Sequence, residues 1–301
     1  SDFLRTVLPK EFYSTVLRSM GVEGNHHTSR VWKGENIRDR FDRDITYLRI
    51  SITDKCNLRC VYCMPEEGVP RKNHTDFLSF EKITEIVRAG ASLGIRKVRL
   101  TGGEPLVKRG IVDLAAMLKA VPGMEQLAMT TNGTLLAEKA RELKKARLDS
   151  LNVSLDTLDP ARYREITRCG NIKDVIDGIE AARSEGFSIK INTVVMEETA
   201  DEEIAEVGRF CKRYGFSHQL INHFSLGRER LETYRFDRPP RCDECNRIRL
   251  LADGKFKPCL LSDIEIPVDM EDIAAALEKT VEMKPKRGNV CLTRSMMEIG
   301  G

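Results

Sequence analysis

The chain has 301 residues, of which 41% are hydrophobic and 32% are charged, so it can form one large domain with a sizeable buried core. Its formal net charge of +3 gives no bulk electrostatic reason to expect nucleic acid or an anionic membrane as a partner. The sequence shows neither an apolar run of membrane-spanning length nor a signal-peptide pattern, so we expect a cytoplasmic protein.

Predicted elements follow one another in a regular order after residue 46. Residues 1–46 are charged and irregular, and we interpret them as an N-terminal extension in which His26 and His27 lie on a solvated loop. Six runs rich in apolar and β-branched residues then predict strands, at 47–53, 97–101, 127–131, 151–155, 189–195 and 217–221. Helices are predicted between and after them, at 80–93, at about 111–120, after a turn within 132–148, and at 171–185 and 201–214.

This alternation over residues 47–225 predicts an α/β fold, a partial (βα)6 barrel of the TIM type with a parallel sheet. Ligands of such folds collect at the carboxyl ends of the strands. Several polar motifs fall at those ends, namely the first cysteines, "GGEP", Thr130 to Asn132, and Ser154. We therefore expect one functional rim.

The pattern changes in residues 226–301. A loop, two short strands with a turn at Asp253 and Gly254, a helix near 271–282 and a tail ending in Gly300 and Gly301 are predicted. We interpret this part as a small C-terminal appendage.

Nine cysteines, an odd number in tight groups, favour metal sites in a reducing compartment over a disulfide scaffold. Cys56, Cys60 and Cys63 have a spacing that can ligate three irons of a [4Fe–4S] cluster and leave the fourth iron open for chemistry. The alternative is a structural zinc site completed by a distant residue.

A second group consists of Cys242, Cys245 and Cys259, with Cys259 on the returning strand of a hairpin. It is typical of a metal or redox site. Cys291 is a further candidate ligand that would close this site. Cys169 and Cys211 are interpreted as incidental packed thiols.

Basic residues frame both groups. Arg49 lies on the first strand, Lys97 and Arg99 alternate on the second, and Arg247 and Arg249 alternate after Cys245. Alternation places such side chains on one face of a strand. Because Arg suits bidentate phosphate recognition, we expect an anionic, phosphorylated substrate between the two cysteine groups.

Several motifs resemble a known family. "CNLRCVYC" resembles the cluster-binding loop of radical S-adenosylmethionine (SAM) enzymes, and "GGEP" is similar to their next signature. "YLRISITDKCNLRCVYCMPEEG", "KVRLTGGEPL", "TTNG", "NVSLDTL", "KINTVVM", "CNRIRLLADGKFKPCL" and the final "GG" resemble the GTP 3′,8-cyclases of molybdenum cofactor biosynthesis, a similarity that covers most of residues 47–301.

The resemblance implies two [4Fe–4S] clusters, one held by Cys56, Cys60 and Cys63 and one by Cys242, Cys245 and Cys259. It implies SAM contacts at Tyr62, Gly103, Glu104 and Ser154. The GTP contacts that it implies are Arg49, Arg99, Thr130, Lys190, Arg247 and Arg249. Lys97, which alternates with Arg99 on the second strand, is added to the substrate-binding set, and the catalytic set is Arg49, Arg247, Arg249 and the tail residues Gly300 and Gly301.

The implied reaction begins with a 5′-deoxyadenosyl radical that removes hydrogen from ribose C3′ of GTP. The carbon radical then attacks C8 of guanine and gives 3′,8-cyclo-7,8-dihydroGTP. An external electron donor is implied as a partner, and a homodimer is compatible with the resemblance.

One segment departs from the family pattern. In "QLINHF", residues 219–224, Gln219 replaces an arginine, Asn222 a glutamate and Phe224 a methionine that contacts SAM, and the chain that follows is shortened. An alternative is therefore a paralogue that acts on another nucleotide or anion. A peptide-modifying radical enzyme, a non-catalytic iron–sulfur electron carrier and a zinc-binding module rank lower.

Overall fold

The computed structural model describes residues 36–67, 77–229, 235–236 and 241–300. The predictions for His26, His27 and Gly301 lie outside these residues. Within them, one sheet has the strand order β6-β5-β4-β3-β2-β1-β7-β8-β9. Its strands are β1 Tyr47–Ser51, β2 Lys97–Thr101, β3 Gln126–Thr131, β4 Ser150–Ser154, β5 Ser188–Val195, β6 Ser217–Asn222, β7 Arg247–Leu250, β8 Lys255–Lys257 and β9 Ile266–Pro267.

The helices are α1 Phe80–Ser92, α2 Ile111–Lys119, α3 Leu136–Lys145, α4 Pro160–Thr167, α5 Ile172–Ser184, α6 Asp201–Tyr214, α7 Ile273–Glu282 and α8 Met296–Ile299, with a 3₁₀ turn at Pro105–Val107. Ser79 caps α1 by accepting a hydrogen bond from the Lys82 N–H. Helix α4 was not predicted, although Asp159 at its N-cap and Pro160 at its first position are a recognised start signal.

The first six strands pair in parallel from β1 to β6, which confirms the predicted α/β fold with a parallel-dominated sheet. Alternate residues of the central strands, such as Leu48, Leu100, Leu127 and Val153, are fully buried in the hydrophobic core. The other set of alternate residues is rich in polar and basic side chains, so the second face of the sheet is available for a site.

The C-terminal hairpin continues this sheet. β7 pairs in parallel with β1, with Arg249 opposite Arg49, and β8 and β9 then add antiparallel strands. The turn between β7 and β8 contains Gly254 with φ of +79°, a conformation that favours glycine. The sequence predicted the hairpin but not its place beside β1.

Across the part of the chain that the structure describes, no helix has the length and apolarity needed to cross a membrane.

Candidate active site

The loop after β1 brings the first three cysteines to one cavity. Cys56, Cys60 and Cys63 are partly buried and line a cavity of about 220 Å³. The Leu58 N–H lies 3.4 Å from Cys56 Sγ, and the Asn132 amide lies 3.9 Å from the same sulfur. Burial raises the pKa of the Cys60 thiol, and it raises the pKa of Cys63 to about 12. Thiolates at these positions therefore need a cationic partner, as iron would provide.

The C-terminal end of α4 holds this loop in place. The Val61 N–H donates to the Ile166 carbonyl at 2.9 Å. Arg168 follows the helix and donates through Nη1 to the carbonyls of Arg59 and Met64, at 2.8 and 2.9 Å. The φ of Arg168 is +63°, a strained value for a residue other than glycine. The surrounding contacts thus impose this conformation where the cysteine loop must be positioned.

The same cavity contains most residues predicted to contact SAM. Tyr62, Gly103 and Ser154 line it, at the carboxyl ends of β1, β2 and β4. Gly103 lies against the Lys55 backbone, where a Cβ atom would come within 2.3 Å of the Lys55 carbonyl oxygen. Asn192 also lines the cavity, and its buried Oδ1 has no hydrogen-bond partner among the described residues. These features fit a polar ligand that would donate to that oxygen.

Glu104 lies behind the cavity. Its Oε1 accepts from the Leu106 N–H and from Thr131 Oγ1, and its Oε2 accepts from the Asn132 N–H, at 2.7 to 2.9 Å. Burial raises the pKa of Glu104 to about 7, although these hydrogen bonds act to lower it. The side chain therefore positions the end of β3, and the predicted SAM contact of Glu104 stays a prediction.

Asp156 is a buried residue that the sequence analysis did not single out. Tyr62 donates its hydroxyl to Asp156 Oδ2 at 2.7 Å, and Oδ1 accepts from the Val194 N–H at 2.7 Å. Burial raises the pKa of Asp156 to about 6. Its position after strand β4, in "NVSLD", is the signal that could have identified it.

A second cavity, of about 120 Å³, is lined by the second group of cysteines, Cys242, Cys245 and Cys259. Phe224 lines both cavities, so they are neighbours. Cys291 is 1% exposed and belongs to an apolar cluster with Leu226, Leu251, Leu261 and Ile299. It is not among the residues that line the second cavity, and its role as a ligand stays a prediction.

Single-ion sites are not formed by these groups. Among residues 36–67, 77–229, 235–236 and 241–300, no three His, Cys, Asp or Glu side chains are placed to hold one metal ion. A zinc ion requires its ligands to converge on a single point. A cluster of four irons spreads its ligands over several metal atoms, so the chemistry of two thiol triplets fits clusters better than zinc.

Two rows of residues with basic side chains cross the polar face of the sheet. Arg99, Arg49 and Arg249 are register partners on β2, β1 and β7, and Lys97 and Arg247 occupy the next row on either side of Tyr47. Like charges opposite each other are destabilising. Burial, followed by the neighbouring arginines, lowers the pKa of Arg49 to about 10 and lowers that of Arg249 well below its ordinary value. An anionic ligand would relieve this repulsion.

Other predicted contacts lie on the same face. Thr130 Oγ1 is 3.4 Å from Arg99 Nη1, which places the two predicted substrate residues together. Lys190 pairs with Asn152 of β4, which in turn pairs with Thr130. The predicted alternation thus brings Arg49, Lys97, Arg99, Thr130, Lys190, Arg247 and Arg249 to one face.

Gly300, in the C-terminal tail, lies among these cations. The Gly300 carbonyl accepts hydrogen bonds from Arg49 Nη2 at 3.1 Å and from Arg249 Nη1 at 3.0 Å. Gly300 has φ of +72°, and a Cβ atom there would lie 2.2 Å from Thr101 Oγ1. Only glycine therefore fits, and its carbonyl supplies partial negative charge to the buried guanidinium group of Arg249 and to the partly buried one of Arg49.

The segment 219–224, whose sequence departs from the family pattern, also contacts the site. Lys190 Nζ lies 3.5 Å from Gln219 Oε1. The Asn222 side chain is paired with the backbone of Phe236, donating at 3.0 Å and accepting at 3.2 Å. Phe224 lines both cavities. The segment therefore lies beside Lys190 and the two cavities rather than on a remote surface.

Two buried cations at the second cysteine group escaped the sequence analysis. Arg43 forms a buried ion pair with Asp39 at 2.6 Å and donates to the carbonyls of Cys242, Pro285 and Lys286. Lys284 lies 3.3 Å from Cys245 Sγ. Burial would raise the pKa of Cys245, but the Lys284 charge and the Arg247 N–H lower it overall. No local sequence pattern marks either residue.

Comparison with known proteins agrees with this geometry. The family model for the radical SAM superfamily matches residues 50–211. Two solved structures have similar folds. Streptococcus suis SuiB bound to S-adenosylmethionine has a TM-score of 0.63 at 15% identity, and the match covers 81% of this chain and 66% of that chain. The structure of anSMEcpe with bound AdoMet has a TM-score of 0.56 at 17% identity, and the match covers 80% of this chain and 81% of that chain.

Curated relatives are more similar in sequence. A GTP 3′,8-cyclase of Thermodesulfovibrio yellowstonii is 37% identical over 322 residues, covering 88% of this chain and all of the relative (100%). One of Heliobacterium modesticaldum is 38% identical over 325 residues, covering 87% of this chain and 99% of the relative.

The fold, the cysteine loop and the matched superfamily model define an enzyme of the radical SAM class, a family that implies a [4Fe–4S] cluster and SAM as cofactors. Within that class, the chain belongs to the GTP 3′,8-cyclase family.

Proposed function

We propose that this protein is a GTP 3′,8-cyclase that acts in molybdenum cofactor biosynthesis. The observation that carries the proposal is the set of basic side chains on one sheet face, next to both cysteine-lined cavities. A triphosphate is a ligand that suits so many neighbouring cations. The curated relatives that carry this name support the same substrate.

The first cavity would hold the cluster and SAM. Cys56, Cys60 and Cys63 would ligate the cluster, while Tyr62 and Ser154 would line the SAM site. Together, these groups would supply a 5′-deoxyadenosyl radical for removal of the hydrogen on ribose C3′ of GTP. The protein's part is to position the substrate and to exclude water.

Closure of the C3′–C8 bond in the substrate would give 3′,8-cyclo-7,8-dihydroGTP. The ring closure leaves an unpaired electron on the base, and one electron and one proton complete the product. An external donor must supply this electron as well as the one that initiates the reaction.

The second cavity would hold the auxiliary cluster and the guanine. Cys242, Cys245 and Cys259 would ligate the cluster, and an iron without a protein ligand would be free to bind the base. Arg49, Arg247 and Arg249 would bind phosphate oxygens, with the Gly300 carbonyl orienting two of these guanidinium groups.

A second candidate substrate is another nucleotide. Gln219, Asn222 and Phe224 change the wall of the site, and each of them lies close to a predicted contact or cavity. The basic face would bind the phosphates of any nucleoside triphosphate, whereas the base contacts would select among them.

The test is anaerobic incubation of the reconstituted enzyme with SAM, a reductant and either GTP or ATP. We expect 5′-deoxyadenosine and the cyclised guanine nucleotide in the reaction with GTP, and neither product in the reaction with ATP. The control is the Cys60→Ser variant, which lacks a cluster ligand and should form neither product. Turnover of ATP without turnover of GTP would establish the second candidate, and the absence of 5′-deoxyadenosine with both nucleotides would reject the proposal.

A further inference from the structure

A buried lysine lies against the second group of cysteines. Lys284 follows α7 and is only 2% exposed. Its Nζ lies 3.3 Å from Cys245 Sγ, 2.7 Å from the Arg247 carbonyl oxygen and 2.9 Å from the Pro258 carbonyl oxygen. These partners belong to the loop before β7, to β7 itself and to the segment after β8. One ammonium group therefore joins the three segments that build the cysteine site.

The hydrogen-bonding capacity of this ammonium is filled by the protein. A lysine ammonium has three N–H donors, and Lys284 has three acceptors within hydrogen-bonding distance. Although Lys284 lines the second cavity together with Arg247 and Arg249, it has no donor left for a phosphate. Its chemistry is directed at the cysteine sulfur rather than at a substrate.

Charge balance supports the same conclusion. A buried cation is costly unless an anion compensates it. Of the three acceptors, two are neutral carbonyls, and the Cys245 sulfur alone can carry a full negative charge as a thiolate ligand. Positive charge and N–H···S hydrogen bonds near an iron–sulfur cluster stabilise its more negative, reduced state, and so raise its reduction potential.

We propose that Lys284 is a positioning residue of the second cluster: it orients Cys245 and raises the reduction potential of the cluster held by Cys242, Cys245 and Cys259. This inference rests on the proposed function, because it requires that cluster. The electron that completes the product would then be delivered next to a cluster whose potential the protein sets through one buried charge.

The test uses the full chain with Cys56, Cys60 and Cys63 replaced by Ser, so that only the second site can hold a cluster. In this parent we compare Lys284→Met, Lys284→Arg and the matched control Lys257→Met. Lys257 is equally buried, at 0% exposed, and lies on β8, but its Nζ donates to the Ser262 carbonyl and not to a cysteine. After anaerobic reconstitution, iron content and the midpoint potential are measured, the latter by titration followed by electron paramagnetic resonance.

We expect about four irons per chain in the parent and in Lys257→Met, with the same midpoint potential. Lys284→Met should either show a lower midpoint potential or lose its iron while its circular dichroism matches that of the parent. Lys284→Arg, which retains a cation, should restore part of the difference.

An unchanged iron content and midpoint potential in Lys284→Met would overturn the inference. If that variant does not fold, Lys284→Gln replaces it, and an unchanged potential there overturns the inference equally. A parent protein without iron would reject the second cluster itself, and the role of Lys284 with it. That outcome is visible in the parent alone, so it is distinguishable from a failure of the Lys284 inference.

Discussion

Individual side chains at the site are held by contacts that leave little freedom. The Gly300 carbonyl reaches two arginines only because the residue has a left-handed backbone and no Cβ atom. Asp156 fixes the Tyr62 hydroxyl and a strand amide at once. A single small substitution at Gly300 or at Asp156 therefore removes a known set of contacts.

Replacing Gly300 with Ala should separate radical formation from cyclisation. The added Cβ atom would lie 2.2 Å from Thr101 Oγ1, so the tail must move and its carbonyl must leave Arg49 and Arg249. We expect 5′-deoxyadenosine to form while the cyclised product falls at least about tenfold, a change of about 1.4 kcal/mol in the barrier.

The control for this variant is Gly227→Ala, where the nearest atom to the new Cβ atom is a Leu292 carbon at 3.6 Å and the backbone is ordinary. Its product ratio should equal that of the wild type. An equal ratio in Gly300→Ala as well would show that the tail does not orient the arginines.

Replacing Asp156 with Asn should flatten the dependence of stability on pH. Burial raises the folded-state pKa of Asp156 from 3.8 to about 6, so the folded protein binds the proton more tightly than the unfolded chain. The stabilisation is therefore complete below pH 3.8 and is lost as the pH rises to 6, by up to about 3 kcal/mol.

The measurement is urea unfolding of both proteins between pH 4 and 7. Asn keeps an oxygen for the Val194 N–H and can donate to the Tyr62 oxygen, so the variant should fold. The free energy of unfolding should fall more steeply with pH in the wild type. Parallel curves would contradict the assigned shift.

At the scale of elements, two clamps hold the cysteine loops. Arg168, after α4, binds two carbonyls of the first loop. Arg43, in the segment before β1, binds Cys242 and the chain after α7. Both are arginines that donate several hydrogen bonds to backbone carbonyls, and a planar guanidinium group suits this task.

Breaking the buried Arg43–Asp39 pair should destabilise the whole hairpin region. Replacement of Arg43 by Met leaves the buried Asp39 carboxylate without its cation and removes the guanidinium donor from three carbonyls, so we expect a loss of about 3–5 kcal/mol in the free energy of unfolding. The control is Arg38→Met, because Arg38 and Asp42 form an exposed pair with side chains 58% and 83% exposed. Chemical denaturation should leave this control at the wild-type midpoint, and equal effects of both variants would contradict the role of burial.

Replacement of Arg168 by Met should lower iron retention at the first site. The variant loses two hydrogen bonds to the cysteine loop, although the backbone strain at this position remains. Iron content after dialysis against a chelator measures the effect, in a background with the second cysteine triplet replaced by Ser. Arg164→Met, on the same helix α4, is the control and should retain its iron; retention by Arg168→Met to the same extent would show that the clamp is dispensable.

At the scale of the whole molecule, one face of the sheet carries a local excess of positive charge. Acidic residues elsewhere in the chain nearly balance it, since the net charge of the chain is only +3. Three strands contribute neighbouring cations, and the Gly300 carbonyl accepts hydrogen bonds from two of them without cancelling their charge. The site is thus organised to gain stability when a polyanion binds.

Nucleotide affinity should therefore follow the number of phosphates. We expect the affinity to fall in the order GTP, GDP, GMP, with a steeper salt dependence for GTP, because more phosphate charges pair with protein cations. Lys97→Met should weaken GTP binding several-fold and reduce the salt dependence. The control is Lys145→Met, on the outer helix α3, which should leave GTP affinity and its salt dependence unchanged. Isothermal titration at two salt concentrations measures both quantities. Equal GTP affinities of Lys97→Met and Lys145→Met would show that the basic face is not the phosphate site.

The sequence by itself determined the order of the six parallel strands, the thiol spacing of the first loop, and the face shared by Lys97 and Arg99. Each of these is encoded locally, because the periods of helix and strand decide the backbone conformation and the side-chain direction. The match of "CNLRCVYC" and "GGEP" to known motifs added the chemistry of the first site.

Only the tertiary structure decided that β7 lies beside β1, and so brings Arg249 opposite Arg49 across some 200 residues of chain. It also decided that Arg43 and Lys284 are buried at the second cysteine group, and that Gly300 reaches two arginines. Such pairings depend on how all elements pack together, since a charged residue in a loop or after a helix carries no local mark of the partner that will bury it.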